Sequence, residues 1–581
     1  MSGWRALDLV EALDRSVERN VAPEPMIGTP RALRADEHHH SPLRPHCIVM
    51  PTPSRLACRT ISALLLLHVV SACAGGGGSG APAAAVPVKT NASIRTSVGS
   101  LRGIPGSRPG VRAYLGIPYA APPVGERRWR PPAPPIAWTN VRSAEEFGPS
   151  CMQGPNTPFG PWTSEFLLLG PTSENCLYLN VWTASRANER RPVLVYVYGG
   201  GFTSGSGDVP VYDGAPLAEK GLVVVNMNYR VGALGFLAHP ELTAETGVSG
   251  NYGLLDQVAA LEWVRQNIAA FGGDPQRVMV AGQSAGAMSV YLLTASPMAR
   301  GLFQRAAIES GPGGLAAMGV ATGRGVARPR QDAERDGVRY ATSLGAKNLA
   351  ELRRMPASKF VGGGAGVRFG PIVDGRFLTE NPAETFAAGR QNDVPTIEGL
   401  NADEGSASPT YGRVTAAQFK EQIAQRYGER APQFLAVYPV ATDEEARRAQ
   451  IESSRDAGVA GVIQLLSERA KTSRTPAYGY FFDHAIPWPD KPQFGAFHTS
   501  EVPYVFGTLD KLKRPWTDVD RQLSATMMTY WLNFATAGDP NSFGVPTWPA
   551  FSPARPSLLR IGDRIGPMEP LPSQRLELFT R

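Results

Sequence analysis

Apolar positions along this chain follow a strand pattern and a helix pattern in turn. "RPVLVYVYGGGF" (191–202) is a run of β-branched and aromatic residues that ends in glycines, and it predicts a buried strand. "GLVVVNMNYRV" (221–231) and "RVMVAG" (277–282) predict two more. Between them, "YGLLDQVAALEWVRQNIAAFGG" (252–273) keeps the helical period. Its Leu254, Val258, Leu261, Val264 and Ile268 fall 4, 3, 3 and 4 residues apart and share one face. A further helix is expected to open in "AGAMSVYLLTAS", directly after the third strand, and an apolar strand recurs in "RTPAYGYFFDHAI" (474–486). Strands alternating with helices imply an α/β architecture: a large, mostly parallel central sheet flanked by helices. The stretch from about 316 to 370 is rich in Gly and Arg and weakly periodic. Helical or loop insertions over the sheet, forming a lid or pocket wall, are expected there. No internal repeat is present.

The chain before residue 86 has a different character. From Met50 it reads "MPTPSRLACRTISALLLLHVVSACAGGGGSGAPAAA". Arg55 and Arg59 form a basic start, and the apolar stretch 61–70 is half the length of about 20 residues that a membrane span needs. Basic start, short apolar run and small residues after it fit a secretory signal; the competing reading is a buried helix of a cytosolic protein. "VSAC" resembles the lipobox of bacterial lipoproteins, which would make Cys73 the lipidated first residue and tether the protein to a membrane. The expected organisation is therefore an extension at 1–49 with translation starting at Met50, a signal at 50–73, a flexible linker at 74–85 and one domain at 86–581. The expected location is exported: periplasmic, anchored at the outer membrane, or extracellular.

Composition narrows the partners. The 581 residues carry a net charge of +7, but no basic run makes a nucleic-acid surface. Three of the five cysteines, Cys47, Cys58 and Cys73, precede the linker. Cys151 and Cys176 remain, and an isolated pair in an exported chain reads as one disulfide rather than two unrelated thiols. On the loop-entropy estimate it would contribute about 3–4 kcal/mol. The residues set no oligomeric state.

The chemistry centres on Gly282-Gln283-Ser284-Ala285-Gly286, a G-x-S-x-G pattern that follows a strand and opens a helix, as a nucleophile elbow requires. A serine hydroxyl needs a base. Five of the eight histidines precede position 73, leaving His239, His484 and His498, and in the chain order of such hydrolases the base follows the serine. His484 ends an aromatic strand and reads as structural. His498, in the loop "KPQFGAFHTSEVPYVFG", is favoured. The acid that orients the base is open among Asp374 in "GPIVDGRF" and Asp403 or Glu404 in "IEGLNADEGSAS"; each also reads as an ordinary turn acid. "YVYGGGFTSGSG" (196–207) offers Gly199, Gly200 and Gly201 after a strand, where main-chain N–H groups can approach an oxyanion. Ser204 stands where a dinucleotide fingerprint needs its third glycine. No HExxH-type ligand set occurs, so neither metal nor organic cofactor is expected.

Taken together, "YLGIPYAAPPVGERRWRPP", "SENCLYLNVW", "YGGGF", "NYGLLDQVAALEWVRQNIAAFGGDP", "GQSAGA", "GLNADEGS", "FHTSEVPYVFG" and "WLNFATAGDPN" resemble the type-B carboxylesterases, the family that also holds the cholinesterases, and most of all its bacterial para-nitrobenzyl-esterase branch. The resemblance runs from about residue 86 to the end. It implies an α/β-hydrolase fold and a serine esterase acting on small-molecule esters. It makes Ser284 the nucleophile, Glu404 the acid and His498 the base. It assigns the oxyanion donors to Gly200, Gly201 and Ala285, a supporting hydroxyl to Ser310, and pairs Cys151 with Cys176. Amide or carbamate hydrolysis would use the same machinery. Some relatives keep the fold without the serine and only bind; here all three triad positions are filled. There are departures. Gln283 stands where the family usually has Glu, which should weaken any preference for cationic substrates. Asn175 replaces the usual Asp before Cys176. Trp162 lies near, but not at, the spacing of the choline-binding tryptophan.

Overall fold

The computed structural model describes residues 93–154, 157–319, 326–362, 364 and 366–580. The expected extension, signal and linker, and with them Cys73, lie outside the described residues. Eleven strands make one sheet: β1 (Ile104–Pro105), β2 (Arg112–Pro118), β3 (Tyr178–Thr183), β4 (Arg191–Val197), β5 (Val223–Met227), β6 (Gly273–Gln283), β7 (Arg305–Glu309), β8 (Thr396–Asn401), β9 (Ala477–Phe482), β10 (Leu559–Ile561) and β11 (Gly566–Pro567). Across the sheet they lie in the order β11-β10-β9-β8-β7-β6-β4-β5-β3-β2-β1. From β10 to β5 every pairing is parallel, while β1, β2, β3 and β11 run antiparallel to their neighbours. This is the α/β-hydrolase fold. Every residue of β5, β8 and β9 is buried, as are all but the first residue of β4. Burial on both faces is why β4 and β5 read as nearly continuous apolar runs rather than alternating ones.

Four long helices pack on the sheet: α1 (Tyr252–Asn267), α2 (Ala285–Ala295), α3 (Asp443–Ala470) and α4 (Asp518–Ala537). The helix expected over 252–273 stops earlier. A 3₁₀ turn over Ile268–Phe271 follows α1, and Gly272 leaves it at a φ of 85°, where a Cβ would come within 2.4 Å of the Arg186 carbonyl oxygen. β6 then begins at Gly273, with a register break before Val278, so the predicted strand 277–282 is its regular part. β4 likewise ends at Val197, and the glycines predicted to close it form a turn beyond the sheet.

In the insertion 316–370, the described residues form helices at Arg330–Ser343 and Leu349–Arg354 and a 3₁₀ turn at Ala357–Phe360. Its polar contacts run to the flank of the sheet. Glu334 accepts from Thr243 at 2.6 Å, Arg353 pairs with Glu245 at 2.6 Å, and Arg128 donates to the Met355 carbonyl at 2.7 Å. These contacts make it a buttress for the chain after β5. Cys151 and Cys176 are joined by a disulfide.

One ion pair is sealed inside. Asp256 on α1 accepts from Arg230 Nε at 2.8 Å, from Nη2 at 2.7 Å and from the Arg230 backbone N–H at 3.0 Å. Arg230 also lies over the Tyr252 ring, 5.4 Å from its centre. The pair ties the exit of β5 to α1. Removing one partner would leave an uncompensated buried charge, which costs about 3–5 kcal/mol. Asp256→Ala is expected to lose that much stability in urea unfolding. Arg521→Ala, which breaks an exposed pair with Asp518, should lose less than about 1 kcal/mol.

Candidate active site

β6 and α2 are joined by one residue, Ser284, at φ 60° and ψ −123°. That conformation costs a non-glycine residue about 1–3 kcal/mol, so its surroundings must impose it. The Ser284 N–H donates to the Glu309 carbonyl at 2.9 Å, and its own carbonyl accepts from Met288 at 2.8 Å. On either side the chain is pressed against β4. A Cβ on Gly282 would come within 2.7 Å of the Val197 carbonyl oxygen, and one on Gly286 within 1.9 Å. The two glycines of the motif are therefore steric requirements. From Val278 to Ser296 every residue is buried except Ser284. Its hydroxyl makes no capping bond to α2, so it is left free for chemistry.

The sheet register brings the glycine loop to the same place. Gly282 pairs with Val197, and β4 ends there, so the residues just beyond Val197 lie level with Ser284. A Cβ on Gly199 would come within 2.9 Å of the Ser284 Cβ. Gly200 and Gly201 follow at φ 106° and 62° in an exposed turn, closed by Thr203 and Ser204 N–H groups donating to the Gly200 carbonyl at 3.0 Å. Among the described residues, the N–H groups of Gly200, Gly201 and Ala285 have no hydrogen-bond partner. Ala285 adds the positive end of α2.

The base and the acid come from the ends of β8 and β9. Ala402, just past β8, donates to the Phe482 carbonyl that ends β9 at 2.8 Å; Asp403 then pairs with the loop after β9, donating to the Ala496 carbonyl at 2.9 Å and forming a parallel bridge with Phe497. One residue further on each side, the His498 Nδ1–H donates to Glu404 Oε2. Glu404 Oε1 accepts from the Asn401 N–H at 2.8 Å. Both side chains are buried. Burial alone pulls the His498 pKa down. The Glu404 carboxylate beside it outweighs that, and the net shift is upward from 6.5.

The other candidates stand elsewhere. Asp374 accepts from the N–H groups of Arg376 and Leu378 in its own turn, at 3.1 and 2.9 Å. Asp403 takes Arg455 at 2.7 Å, Tyr411 at 3.0 Å and the Ala496 N–H at 3.0 Å, so it anchors the loop that carries His498. His484 sits between Asp520 at 2.9 Å and Asp563 at 2.6 Å. The Ser310 hydroxyl is buried without a partner, so no hydrogen bond ties it to His498 or Glu404. Gln283 Nε2 lies 3.2 Å from His498 Nε2 and 3.4 Å from Nδ1. Such similar distances set the amide against the face of the ring. Being neutral, it adds no charge that would favour the imidazolium.

Trp162 stands edge-on to the His498 ring, 6.4 Å between centres, and its Nε1 donates to Thr499 Oγ1 at 3.0 Å. Thr499 takes a left-handed φ of 92°, and Asn401 holds both Glu404 and the Phe497 carbonyl. The sequence reading passed over Thr499 and Asn401, because nothing in a single sequence separates them from other loop residues.

Residues 90–577 match the Carboxylesterase family. Fumonisin B1 esterase of Sphingopyxis macrogoltabida is 37% identical over 497 residues, 82% of this chain and 87% of that protein. Para-nitrobenzyl esterase of Bacillus subtilis is 35% identical over 476 residues, 80% of this chain and 93% of that protein. Cocaine esterase of Homo sapiens is 34% identical over 499 residues, 80% of this chain and 86% of that protein.

The elbow geometry makes its own prediction. Gly286→Ala forces α2 away from Val197 and should lower both the melting temperature and turnover of para-nitrophenyl acetate by more than about tenfold. Gly345→Ala tests a glycine with open space around it, at a φ of 80°. Its cost should be confined to backbone strain, with turnover kept.

Proposed function

We propose that this chain, which belongs to the carboxylesterase family, hydrolyses carboxylic esters through an acyl-enzyme formed on Ser284. Carboxylic-ester hydrolysis of small molecules is the activity that goes with that membership. The triad is the reading advanced here. Ser284 Oγ attacks the ester carbonyl carbon and its proton passes to His498 Nε2. That nitrogen carries a lone pair rather than a proton, because Nδ1–H is committed to Glu404. Glu404 stabilises the imidazolium that results. The carbonyl oxygen, now negative, takes hydrogen bonds from Gly200, Gly201 and Ala285 N–H. The C–O bond to the alcohol then breaks, and His498 gives its proton to the departing oxygen. Water enters, His498 takes its proton, and the same steps release the acid and restore the Ser284 hydroxyl.

The observation that carries the reading is the buried bond between His498 and Glu404, on an imidazole touched by Gln283, the residue before an uncapped serine at a strained elbow. Relatives named for fumonisin B1, cocaine and para-nitrobenzyl substrates are all called esterases, which supports ester ahead of amide or carbamate hydrolysis. The neutral Gln283 against His498 favours uncharged substrates over cationic ones. The reading of residues 50–73 as an export signal draws support from the Cys151–Cys176 disulfide, which belongs in an oxidising compartment.

Ser284→Ala should lower kcat/KM for short aryl esters by at least about 10⁴-fold and abolish labelling by an organophosphate. Only neutral His498 can act as base, and its pKa is raised. In the wild type, kcat/KM should therefore rise with pH through a midpoint above 6.5, and steady-state rates across pH measure that midpoint. For export, Cys73→Ser should abolish palmitate incorporation and release the enzyme from the membrane fraction. An unchanged, unlabelled distribution would favour a plain secretory signal.

A further inference from the structure

Close to the triad lie acids that the reaction above does not use. Glu309 ends β7, Glu501 lies three residues past His498, and both are wholly buried. Glu309 Oε1 accepts from Trp531 Nε1 of α4 at 2.7 Å. Glu501 Oε2 accepts from Asn401 Nδ2, while Glu501 Oε1 has no partner. Asn401 is the link: its backbone N–H holds Glu404 at 2.8 Å, and its Nδ2 also reaches the Phe497 carbonyl at 2.9 Å. Around them the hydroxyls of Ser310, Ser500 and Tyr480 and the Asn401 Oδ1 are buried without partners. The titratable groups facing Glu501 are Glu404 beyond β8, Glu309 on β7, His498, and the tyrosines Tyr196, Tyr480 and Tyr212. Among the described ion pairs, the only partner of these three carboxyls is His498.

Three buried carboxyls around one imidazole cannot all be ionised. Glu404 bonds His498 directly, whereas Glu501 and Glu309 have no cationic partner among the described ion pairs. Burial first, and the Glu404 charge second, push Glu501 up to about 7. Burial and then the Glu501 charge push Glu309 well above the carboxylate range. The partnerless Glu501 Oε1 is the natural seat of a proton, since Oε2 is the oxygen that accepts from Asn401.

We propose that Glu501 is a positioning residue of the triad: through Asn401 it fixes Glu404 against His498, and its charge acts on the imidazole. The proposal rests on Ser284, His498 and Glu404 acting as read above. Its sign follows from charge. When Glu501 ionises, a negative charge stands near His498 and makes the imidazolium harder to deprotonate. Gln at 501 can still accept from Asn401 through its amide oxygen but can never ionise.

The test is the pH dependence of kcat/KM between about pH 5 and 9 for wild type, Glu501→Gln and Glu501→Leu. The Gln variant should move the acid limb to lower pH, so that near pH 6 its activity relative to its own plateau is at least about threefold that of wild type. Its KM should stay close to the wild-type value. The Leu variant strands the Asn401 amide, and its plateau kcat should fall by about tenfold or more, a loss that Gln rescues in large part. Coincident limbs for wild type and Gln, or equal plateaus for Gln and Leu, overturn the proposal. If the Gln variant does not fold, wild type decides alone: its limb must be broader than a one-proton curve, and a single-proton limb overturns the proposal. Organophosphate labelling of Ser284 is run on each protein. Its absence in wild type would sink the triad reading, whereas equal labelling with coincident limbs sinks only the role of Glu501.

Discussion

At Gly286 the first turn of α2 lies so close to the end of β4 that a methyl group would fall 1.9 Å from the Val197 carbonyl oxygen. That approach puts the N-terminus of α2, the glycine turn after β4 and Ser284 within reach of one reacting carbonyl. It also forces Ser284 into a backbone conformation that costs about 1–3 kcal/mol. The helix supplies the counterweight. All eleven of its residues are buried, among them Met288, Val290, Leu292 and Leu293, and each such side chain stabilises by about 1.5–3 kcal/mol. Burial on that scale outweighs the strain, so the nucleophile can stay in a geometry it would not choose.

The second half of the site is built by a different device. The chain leaving β8 pairs with the loop that follows β9, and the bridge of Asp403 with Phe497 sets Glu404 beside His498. Asp403 is a chemical neighbour of the acid but works as a clamp, with Arg455, Tyr411 and the Ala496 N–H on its carboxylate. Two adjacent acids thus divide two tasks, one turned to His498 and the other to Arg455 and Tyr411.

Much of this was legible in the residues. β4 and β5 could be read because burial on both faces leaves mostly apolar side chains, and the elbow could be read because the approach to Val197 admits only glycine. The base could be narrowed because histidine is scarce. The acid could not be chosen from the residues themselves. Asp374, Asp403 and Glu404 are all turn acids, and what separates them is a contact between residues 94 apart, which no local period encodes; the family resemblance named Glu404 instead. The insertion was blurred for another reason. Its helix Arg330–Ser343 packs through Ala333, Gly337, Tyr340 and Ala341, and at Gly337 a Cβ would fall 1.8 Å from the Ala238 carbonyl oxygen. Close packing through small residues leaves no apolar stripe to read.

The disulfide has a reach beyond the two sulfurs. It closes a loop, and Trp162, the residue that stands edge-on to His498, is carried within that loop. Near the base, Trp162 is held by its bond to Thr499. Trp162 thus reaches the base from a loop closed by the disulfide, while Ser284 stands on the turn between β6 and α2. The cross-link restrains the segment that reaches the base, whereas the nucleophile is held by the packing of α2 against β4.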